Sequence, residues 1–261
     1  MRQYVSYILK NTLILITTPN IRKKTFLKVV IILIAHIEYT HMRGLMMRIM
    51  PPYTLKWLHG EYENNDISGL IRENYQQVYQ ASISRCMPWL IGLYDADGEL
   101  MAASGVHVAS QGTLYLEKYL DSPIEAILSS RLSQSVSRAA IVEIGNFAAR
   151  DGASARIMFA ALCQVLTEYH FSWIVFTGTK KIRNTFHRLN LNPILLMSAN
   201  PARLGSDANE WGKYYQYDPQ IMAGELAGGH SALSQGSLLM KLISTLPEAP
   251  WANLSGEHHV S

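Results

Sequence analysis

Cysteine is nearly missing from this chain of 261 residues, which contains only Cys86 and Cys163. The two lie far apart and form neither a CxxC pair nor another metal-ligand spacing, so the sequence suggests no disulfide framework and no zinc site. Cys163 falls in an apolar helical stretch, which is typical of a small buried residue. No cluster of the nine histidines suggests a metal either. We therefore expect a reduced, cytoplasmic protein without a metal.

Charged residues are also scarce. They make up 16% of the chain against 48% hydrophobic residues, a composition typical of a packed globular domain. The net charge of +3 is unevenly distributed, because residues 1–50 contain eight Lys or Arg and one acid and the rest of the chain has a net charge of −4. An acidic body of this kind argues against nucleic-acid binding.

Long apolar runs are missing as well. Spanning a membrane takes roughly twenty apolar residues, and the stretches Leu13–Ile16 and Val29–Ala35 are short and separated by basic residues. Pro19 interrupts the segment, which therefore makes a poor signal peptide. Residues 1–50 have three interpretations: a basic anchor with peripheral membrane contact, an extension docked on the domain, or sequence upstream of a true start at a later methionine between positions 42 and 50. The last interpretation is preferred.

Hydrophobic periodicity and turn residues predict one mixed α/β domain at residues 51–226, followed by a flexible tail with a short helix at residues 227–261. The predicted order is helix, three antiparallel strands, helix, strand, helix, strand, helix, strand. The predicted strands are Trp89–Tyr94, Glu99–Val108, Thr113–Tyr119, Ile141–Phe147, Trp173–Thr177 and Ile194–Met197. Asp66 is predicted to cap the first helix, and Ser122 with Glu125 to form a capping box for a helix that reaches about Arg138.

The strand, loop and helix within Ile141–Tyr169 are the most informative part of the chain for chemistry. A helix start with small residues presents free backbone N–H groups and the positive end of the helix dipole, which together favour phosphate. Arg150 flanks the loop and could pair with phosphate oxygens. The small residues at this helix start are Gly152, Ala153, Ser154 and Ala155. The alternative is that Gly152 only makes a tight turn, and it is favoured for such a loop taken alone.

Ordered sequence blocks between Trp57 and Gly224 carry a family resemblance. The blocks are Leu116–Glu125, Val142–Ala148, Trp173–Thr179, Arg183–Asn184 and Trp211–Tyr215, with Pro219 and Gly224 beyond them. Together they resemble the thermostable hemolysin family, which is similar to GNAT-type acyltransferases and, among these, to acyl-homoserine-lactone synthases. The resemblance implies a GNAT-like mixed α/β sheet, in which an antiparallel meander is followed by strand-helix-strand units with helices on both faces.

The resemblance also implies an activity, namely transfer of a fatty acyl group from acyl-CoA or acyl carrier protein to an amine on a small-molecule or lipid acceptor. It places the donor at Arg150 and residues 152–155, with Asn184 on a later helix. The loop has Ala153 where typical GNAT enzymes have glycine, so CoA, a carrier protein or no donor remain alternatives. The family name implies instead a membrane-active protein that lyses blood cells without catalysis. A degenerate GNAT domain acting as a partner module is a third alternative.

Acyl transfer to an amine requires a base, and two strand carboxylates are candidate catalytic residues. Glu143 shares a predicted strand face with Ile141 and Gly145, and its alternative is a hydrogen-bonded structural acid. The other candidate is Glu117, and the alternative interpretation is that it is an exposed acid on a strand without a catalytic role. Glu125 is already explained by helix capping.

Two further features have alternative interpretations. Asn146 is a candidate to hydrogen-bond the amides of an acyl carrier, and its alternative is that it terminates the strand. The aromatic residues Trp211, Tyr214, Tyr215 and Tyr217 are predicted to pack against a C-terminal strand, with an acyl pocket or a lipid-facing surface as the alternatives.

Overall fold

The computed structural model describes residues 53–60, 65–234, 239–243 and 246–251, and within them seven strands form one sheet. The strands are β1 Thr54–His59, β2 Trp89–Tyr94, β3 Leu100–Val108, β4 Ile141–Ala149, β5 Trp173–Gly178, β6 Ile194–Ser198 and β7 Gln220–Glu225. The α-helices are α1 Asp66–Tyr79, α2 Ile124–Leu132, α3 Gly152–Glu168, α4 Lys180–Arg188 and α5 Leu226–Ser234. The predictions for residues 1–50 lie outside the described residues.

The strands lie in the order β1-β2-β3-β4-β5-β7-β6. Neighbouring strands are antiparallel, except that β4 and β5 run parallel in the middle of the sheet. Side chains of successive strand residues point to opposite faces of the sheet. Helices α1 and α2 pack on one face, and helices α3, α4 and α5 pack on the other. The expected GNAT-like mixed α/β sheet, with an antiparallel meander and helices on both faces, is confirmed.

The predicted strand Thr113–Tyr119 is wrong, because Tyr115–Tyr119 form a 3-10 turn. The backbone N–H groups of Tyr115 and Leu116 donate to the carboxylate of Glu143 at 2.7 and 3.0 Å. A side chain thus uses the groups that a sheet ladder would need. The first strand of the meander is β1 instead, and neither β1 nor β7 was predicted as a strand.

The cap predicted for the first helix is also wrong by one residue. Asn65 precedes α1, and its Oδ1 accepts the backbone N–H of Ser68 at 2.8 Å. Asp66 instead accepts the hydroxyl of Tyr94 at 2.7 Å. The cap is therefore an amide side chain, whereas the carboxylate beside it fixes α1 to β2.

Helix α2 starts and ends differently from the prediction. Ser122 makes no cap, since the first backbone N–H of α2 donates to Glu117 at 2.9 Å. The helix ends where Ser133 adopts a left-handed conformation with a φ of 55°. Beyond this end, Arg138 binds Glu125, at 2.7 Å, and Glu117. The predicted capping box is therefore replaced by an ion-pair cluster.

Part of the segment predicted as a tail packs on the sheet and on α3. Leu226 and Leu233 of α5 are buried in the same core as α3. The Trp251 ring contacts that of Trp57 on β1 at a centroid distance of 4.9 Å. The backbone at Tyr53 also donates to the carbonyl of residue 242 at 2.8 Å. These described pieces belong to the core of the domain.

Strands β4 and β5 separate halfway along their length. They pair from Ile141 to Ile144 on β4 and from Trp173 to Phe176 on β5. Two residues further on, Asn146 adopts a φ of 48°, and the register between β3 and β4 shifts at this point. Such a bulge bends a strand. The remainder of β4 stays paired with β3 and leaves a gap towards β5.

Met87 lies across this bulge and holds it. Its backbone N–H donates to Oδ1 of Asn146 at 2.8 Å. A Cβ on Gly105 would come within 2.8 Å of the Met87 side chain, and a Cβ on Gly145 would also overlap it. Glycine at these two positions lets the segment before β2 approach the sheet.

We predict that Asn146→Ala destabilises the protein more than Asn146→Gly. Both variants lose a buried hydrogen bond, at a cost of about 1–3 kcal/mol. The alanine variant also places a Cβ in the left-handed conformation, which adds about 1–2 kcal/mol. Denaturant unfolding of the full chain, followed by tryptophan fluorescence, measures the difference. Equal unfolding midpoints for the two variants would show that the left-handed backbone is not the constraint.

Candidate functional site

A cavity of about 320 Å³ lies in the gap between β4 and β5. Ile144 and Phe176 border it where the two strands separate, and Tyr75 of α1 and Leu162 of α3 line it from opposite faces of the sheet. The cavity therefore passes between the strands from one face to the other. Its volume lies at the lower end of the range of roughly 300–1,000 Å³ for ligand sites.

Aromatic rings form much of the apolar part of the cavity. Phe147 stacks on Phe159 with ring centroids 4.4 Å apart. Phe186 of α4 contacts Phe159 at 4.8 Å and Phe176 at 5.1 Å. Aliphatic side chains of α3, α4 and α5 complete this part of the lining. Such a surface suits an apolar chain, whose burial is favourable without requiring polar contacts.

Hydroxyl groups gather at the other end of the cavity. Tyr75, Tyr79, Tyr214 and Thr179 all line it, and the Tyr214 hydroxyl donates to the carbonyl of Thr177 at 3.2 Å. Burial raises the pKa of each of the three tyrosines above its usual value. These tyrosines are therefore neutral near pH 7 and act as hydrogen-bond donors rather than as bases.

Glu143, the first predicted catalytic carboxylate, does not line the cavity. It lies on the opposite face of β4 from Ile144, is 2% exposed, and accepts the N–H groups of Tyr115 and Leu116. Burial raises its pKa to about 8, although these two hydrogen bonds act to lower it. The structure shows an anchor for the 3-10 turn, and the catalytic role of Glu143 stays a prediction.

Glu117, the second predicted carboxylate, is held by Arg138 in two contacts of 2.7 and 2.8 Å. It also accepts the backbone N–H groups of Leu114 and Ile124 at 2.8 and 2.9 Å. Burial alone would raise its pKa, but these donors outweigh burial and lower the pKa to about 2. A carboxylate with so low a pKa is a weak base at neutral pH.

The loop predicted to bind phosphate is closed by its own side chain. The carboxylate of Asp151 accepts the N–H groups of Ala153 and Ser154 at 2.8 and 2.7 Å, and the Ser154 hydroxyl at 3.0 Å. Arg150 turns back to donate to the Leu100 carbonyl at 2.6 Å. A negative group therefore occupies the position expected for phosphate, and none of these residues lines the cavity.

None of the remaining predicted site residues lines the cavity. Gly152 is exposed and Ala155 is half-buried at the start of α3. Asn146 lies beside the cavity in the bulge, with its Oδ1 bound to Met87. Asn184 is exposed on α4, and the cavity is lined by other residues of that helix. The structure thus places none of the predicted donor contacts in the wall of the cavity.

Sequence reasoning missed most of the residues at the polar end of the cavity. Tyr75 belongs to the apolar stripe of α1, and Tyr79 follows it one turn later. Thr179 ends one of the family blocks, although nothing in that block indicates a buried hydroxyl. Tyr214 is part of the aromatic cluster, and it occupies both the core and the cavity wall. The four-residue spacing of the α1 tyrosines is a signal that could have shown a shared face.

The fold and the cavity define the class of this protein as a GNAT-like mixed sheet that is open between its two parallel strands. Residues 59–230 match the family model described as thermostable hemolysin. This match covers more than half of the chain, so the chain belongs to the thermostable hemolysin family.

Solved structures with a similar course of the chain include two synthases. The AHL synthase LasI is 14% identical, with 72% of this chain and 98% of that chain covered and a TM-score of 0.49. The N-acyl amino acid synthase FeeM from uncultured soil microbes is 16% identical, with 71% and 97% covered and a TM-score of 0.45. No curated protein matches the chain. Similarity at this level describes the fold and assigns no activity.

The described part of the chain contains neither a candidate membrane span nor a candidate metal-binding cluster. Among its helices none is both long and apolar enough to cross a bilayer. The same residues contain no group of three His, Cys, Asp or Glu side chains placed to hold a metal ion.

We predict that the stability difference between the wild type and Glu143→Gln depends on pH. The folded-state pKa of about 8 lies above the ordinary value of 4.5, so the wild type loses stability as the pH rises between these values. The glutamine variant lacks this loss, but its amide nitrogen leaves one N–H unpaired at a cost of about 1–3 kcal/mol. Denaturant midpoints should therefore show the largest deficit near pH 5 and a smaller one near pH 9.

Glu117→Gln is the matched control, and its deficit should change in the opposite direction. The folded-state pKa of about 2 lies below 4.5, so the wild type gains stability as the pH rises from about 2 to 4.5. The control variant lacks this gain and then stays at a constant deficit. A deficit of Glu143→Gln that is the same at pH 5 and pH 9 contradicts the assignment of a raised pKa to Glu143.

Proposed function

We propose that this protein transfers a fatty acyl group from acyl-CoA or acyl carrier protein to an amine acceptor. The observation that carries the proposal is the cavity between β4 and β5, which joins an aromatic, apolar part to a group of neutral hydroxyls. An acyl thioester has the same division into an apolar chain and a polar reacting group. The family resemblance to GNAT-type acyltransferases supports an amine as acceptor.

In the proposed reaction, the amine nitrogen attacks the carbonyl carbon of the thioester. A carbon–nitrogen bond forms, and the carbon–sulfur bond breaks with its electron pair going to sulfur. One amine proton passes to a base, and the thiolate takes up a proton to leave as a free thiol. The products are an amide and the thiol form of the donor, so atoms and charge balance. Binding both reactants in one cavity provides the proximity that such a step requires.

The gap also fits the extended arm of the donor. Beyond Ile144 and Phe176, the edges of β4 and β5 are not paired with each other. The pantetheine arm contains two amides, and an extended amide chain can bind along strand edges in the manner of an added strand. The phosphate end of the donor fits less well, because Asp151 occupies the first turn of α3. Arg150 remains the proposed phosphate contact at that end.

Glu143 remains the proposed base, because its pKa of about 8 gives it the proton affinity that general-base catalysis requires near neutral pH. Its carboxylate faces away from the cavity, so the proton must reach it through an intervening water or polar group. Glu225 is the alternative on position, since it is an exposed carboxylate that lines the cavity.

Donor binding is tested by calorimetry with decanoyl-CoA and with decanoyl carrier protein. We expect one of them to bind the wild type, and Gly224→Leu to weaken that binding at least tenfold. Gly224 lines the cavity, and the nearest atom to a Cβ there is 4.0 Å away, so leucine enters the space intended for the acyl chain without overlapping the backbone. Gly69→Leu is the matched control, because Gly69 is exposed on α1 away from the cavity.

If Gly224→Leu and Gly69→Leu change the affinity for the donor equally, the donor binds outside the cavity. If neither donor binds the wild type, the proposed transfer is abandoned for the membrane-active alternative. A dye-leakage assay with phospholipid vesicles then tests that alternative directly.

The base is tested by comparing turnover of the Glu143→Gln, Glu225→Gln and Glu117→Gln variants. Release of free thiol from decanoyl-CoA in the presence of amines gives the rate. Loss of a general base lowers kcat by about a hundredfold to ten-thousandfold. We expect this loss in Glu143→Gln, measured on protein shown to be folded, and a much smaller one in Glu117→Gln. If Glu143→Gln is active and Glu225→Gln is inactive, the base is Glu225 and not Glu143.

A further inference from the structure

The hydroxyl of Thr179 is buried in the cavity without a hydrogen bond. Thr179 is 2% exposed and lines the cavity, and its Oγ1 has no hydrogen-bond partner among the described residues. The Tyr79 hydroxyl lies beside the Thr179 hydroxyl, which acts to lower the pKa of Tyr79. The contact between the two oxygens nevertheless lacks the geometry of a hydrogen bond, so Oγ1 of Thr179 has no partner among the described residues. Buried polar groups are nearly always paired, so an unpaired hydroxyl in a cavity wall indicates a ligand that supplies the partner.

Thr179 also stands at the start of α4, and this helix start differs from others in the fold. The caps of α1 and α3 use the side chains of Asn65 and Asp151 to accept backbone N–H groups. Thr179 is the N-cap of α4, but its side chain makes no such bond. The first backbone N–H groups of a helix lack partners within the helix, so they remain available to an oxygen atom.

The charges at the start of α4 are of one sign. Lys180 and Lys181 occupy the first turn, which contains no acid. Two lysines at the positive end of a helix dipole are unfavourable there, whereas an oxygen with negative charge is favoured. The acid Asp218, which lies outside α4, binds Arg183 at 2.6 Å and also interacts with Lys180. The helix start therefore favours a ligand oxygen over a ligand cation.

We propose that the Thr179 hydroxyl and the first turn of α4 bind the carbonyl or carboxylate oxygen of an acyl group whose chain fills the aromatic part of the cavity. The aromatic part adjoins this point, since Phe176 lies three residues before Thr179 and Phe186 lies on α4 itself. Tyr79 supplies a second donor, because burial keeps its hydroxyl neutral. This site rests on the proposed function for its reacting form, the thioester, but it binds a free fatty carboxylate as well.

The site is tested on the full chain with sodium decanoate, decylamine and three variants. Calorimetry should show that decanoate binds the wild type and that decylamine binds at least tenfold more weakly, because the site offers hydrogen-bond donors and two lysines lie in the adjoining first turn of α4. Thr179→Val removes the hydroxyl and keeps the shape, so decanoate affinity should fall at least tenfold. Thr179→Ser keeps the hydroxyl and should bind decanoate within threefold of the wild type.

Thermal unfolding without ligand separates binding from folding. Thr179→Val should keep or raise the melting temperature, because the hydroxyl has no partner to lose. If Thr179→Val does not fold, Tyr79→Phe takes its place and should weaken decanoate binding while leaving decylamine unchanged. Wild-type affinity for decanoate in the folded Thr179→Val or Tyr79→Phe variant overturns the site, and so does failure of decanoate to bind the wild type.

The outcomes for the site and for the activity are distinguishable. Decanoate binding that depends on Thr179, without thiol release from any acyl donor, keeps the site and removes the transfer activity. Thiol release that is unchanged in Thr179→Val, with decanoate binding also unchanged, keeps the activity and removes the site. When both proposals hold, Thr179→Val lowers the rate of thiol release, and Thr179→Ser restores it.

Discussion

The hydrogen bond from the Met87 backbone to Asn146 holds the bulge at which β4 leaves β5. At this point β4 continues along β3, while its pairing with β5 ends after Ile144. The cavity lies in the resulting gap and is lined by residues from both faces of the sheet. Without the bulge, parallel pairing could continue and close the sheet. The proposed donor site and the Thr179 site both depend on this separation.

Two carboxylates, the buried Glu143 and the half-buried Glu117, fix the same 3-10 turn and have opposite pKa shifts. Glu143 accepts two N–H groups from the turn and makes no ion pair within the described part of the chain, so burial dominates and raises its pKa to about 8. Glu117 accepts two N–H groups and also binds Arg138, so its pKa falls to about 2. The difference between them is the partner cation, which the sequence does not place. Glu143 therefore combines the anchoring of the turn with the proton affinity that the proposed base requires.

Local signals in the sequence predict elements whose hydrogen bonds are local or follow the chain order. The predicted strands Trp89–Tyr94 and Trp173–Thr177 and the later helix that contains Asn184 agree with the structure, because apolar runs and turn residues define them. The segment 113–119 also looks like a strand, but its N–H groups are taken by a side chain some 27 residues later in the chain. A pattern within a short window does not contain that partner.

By itself the sequence determined the mixed α/β class, the order of most elements and the resemblance to the thermostable hemolysin family, since these depend on periodicity and on residue strings. Only the tertiary structure decided where the site lies. The phosphate loop predicted from small residues is closed by Asp151, whereas Tyr75, Thr179 and Tyr214 line the polar end of the cavity from three separate elements. These three residues line one cavity because the bulge at Asn146 separates two strands, and their arrangement depends on packing between residues that are distant in the chain.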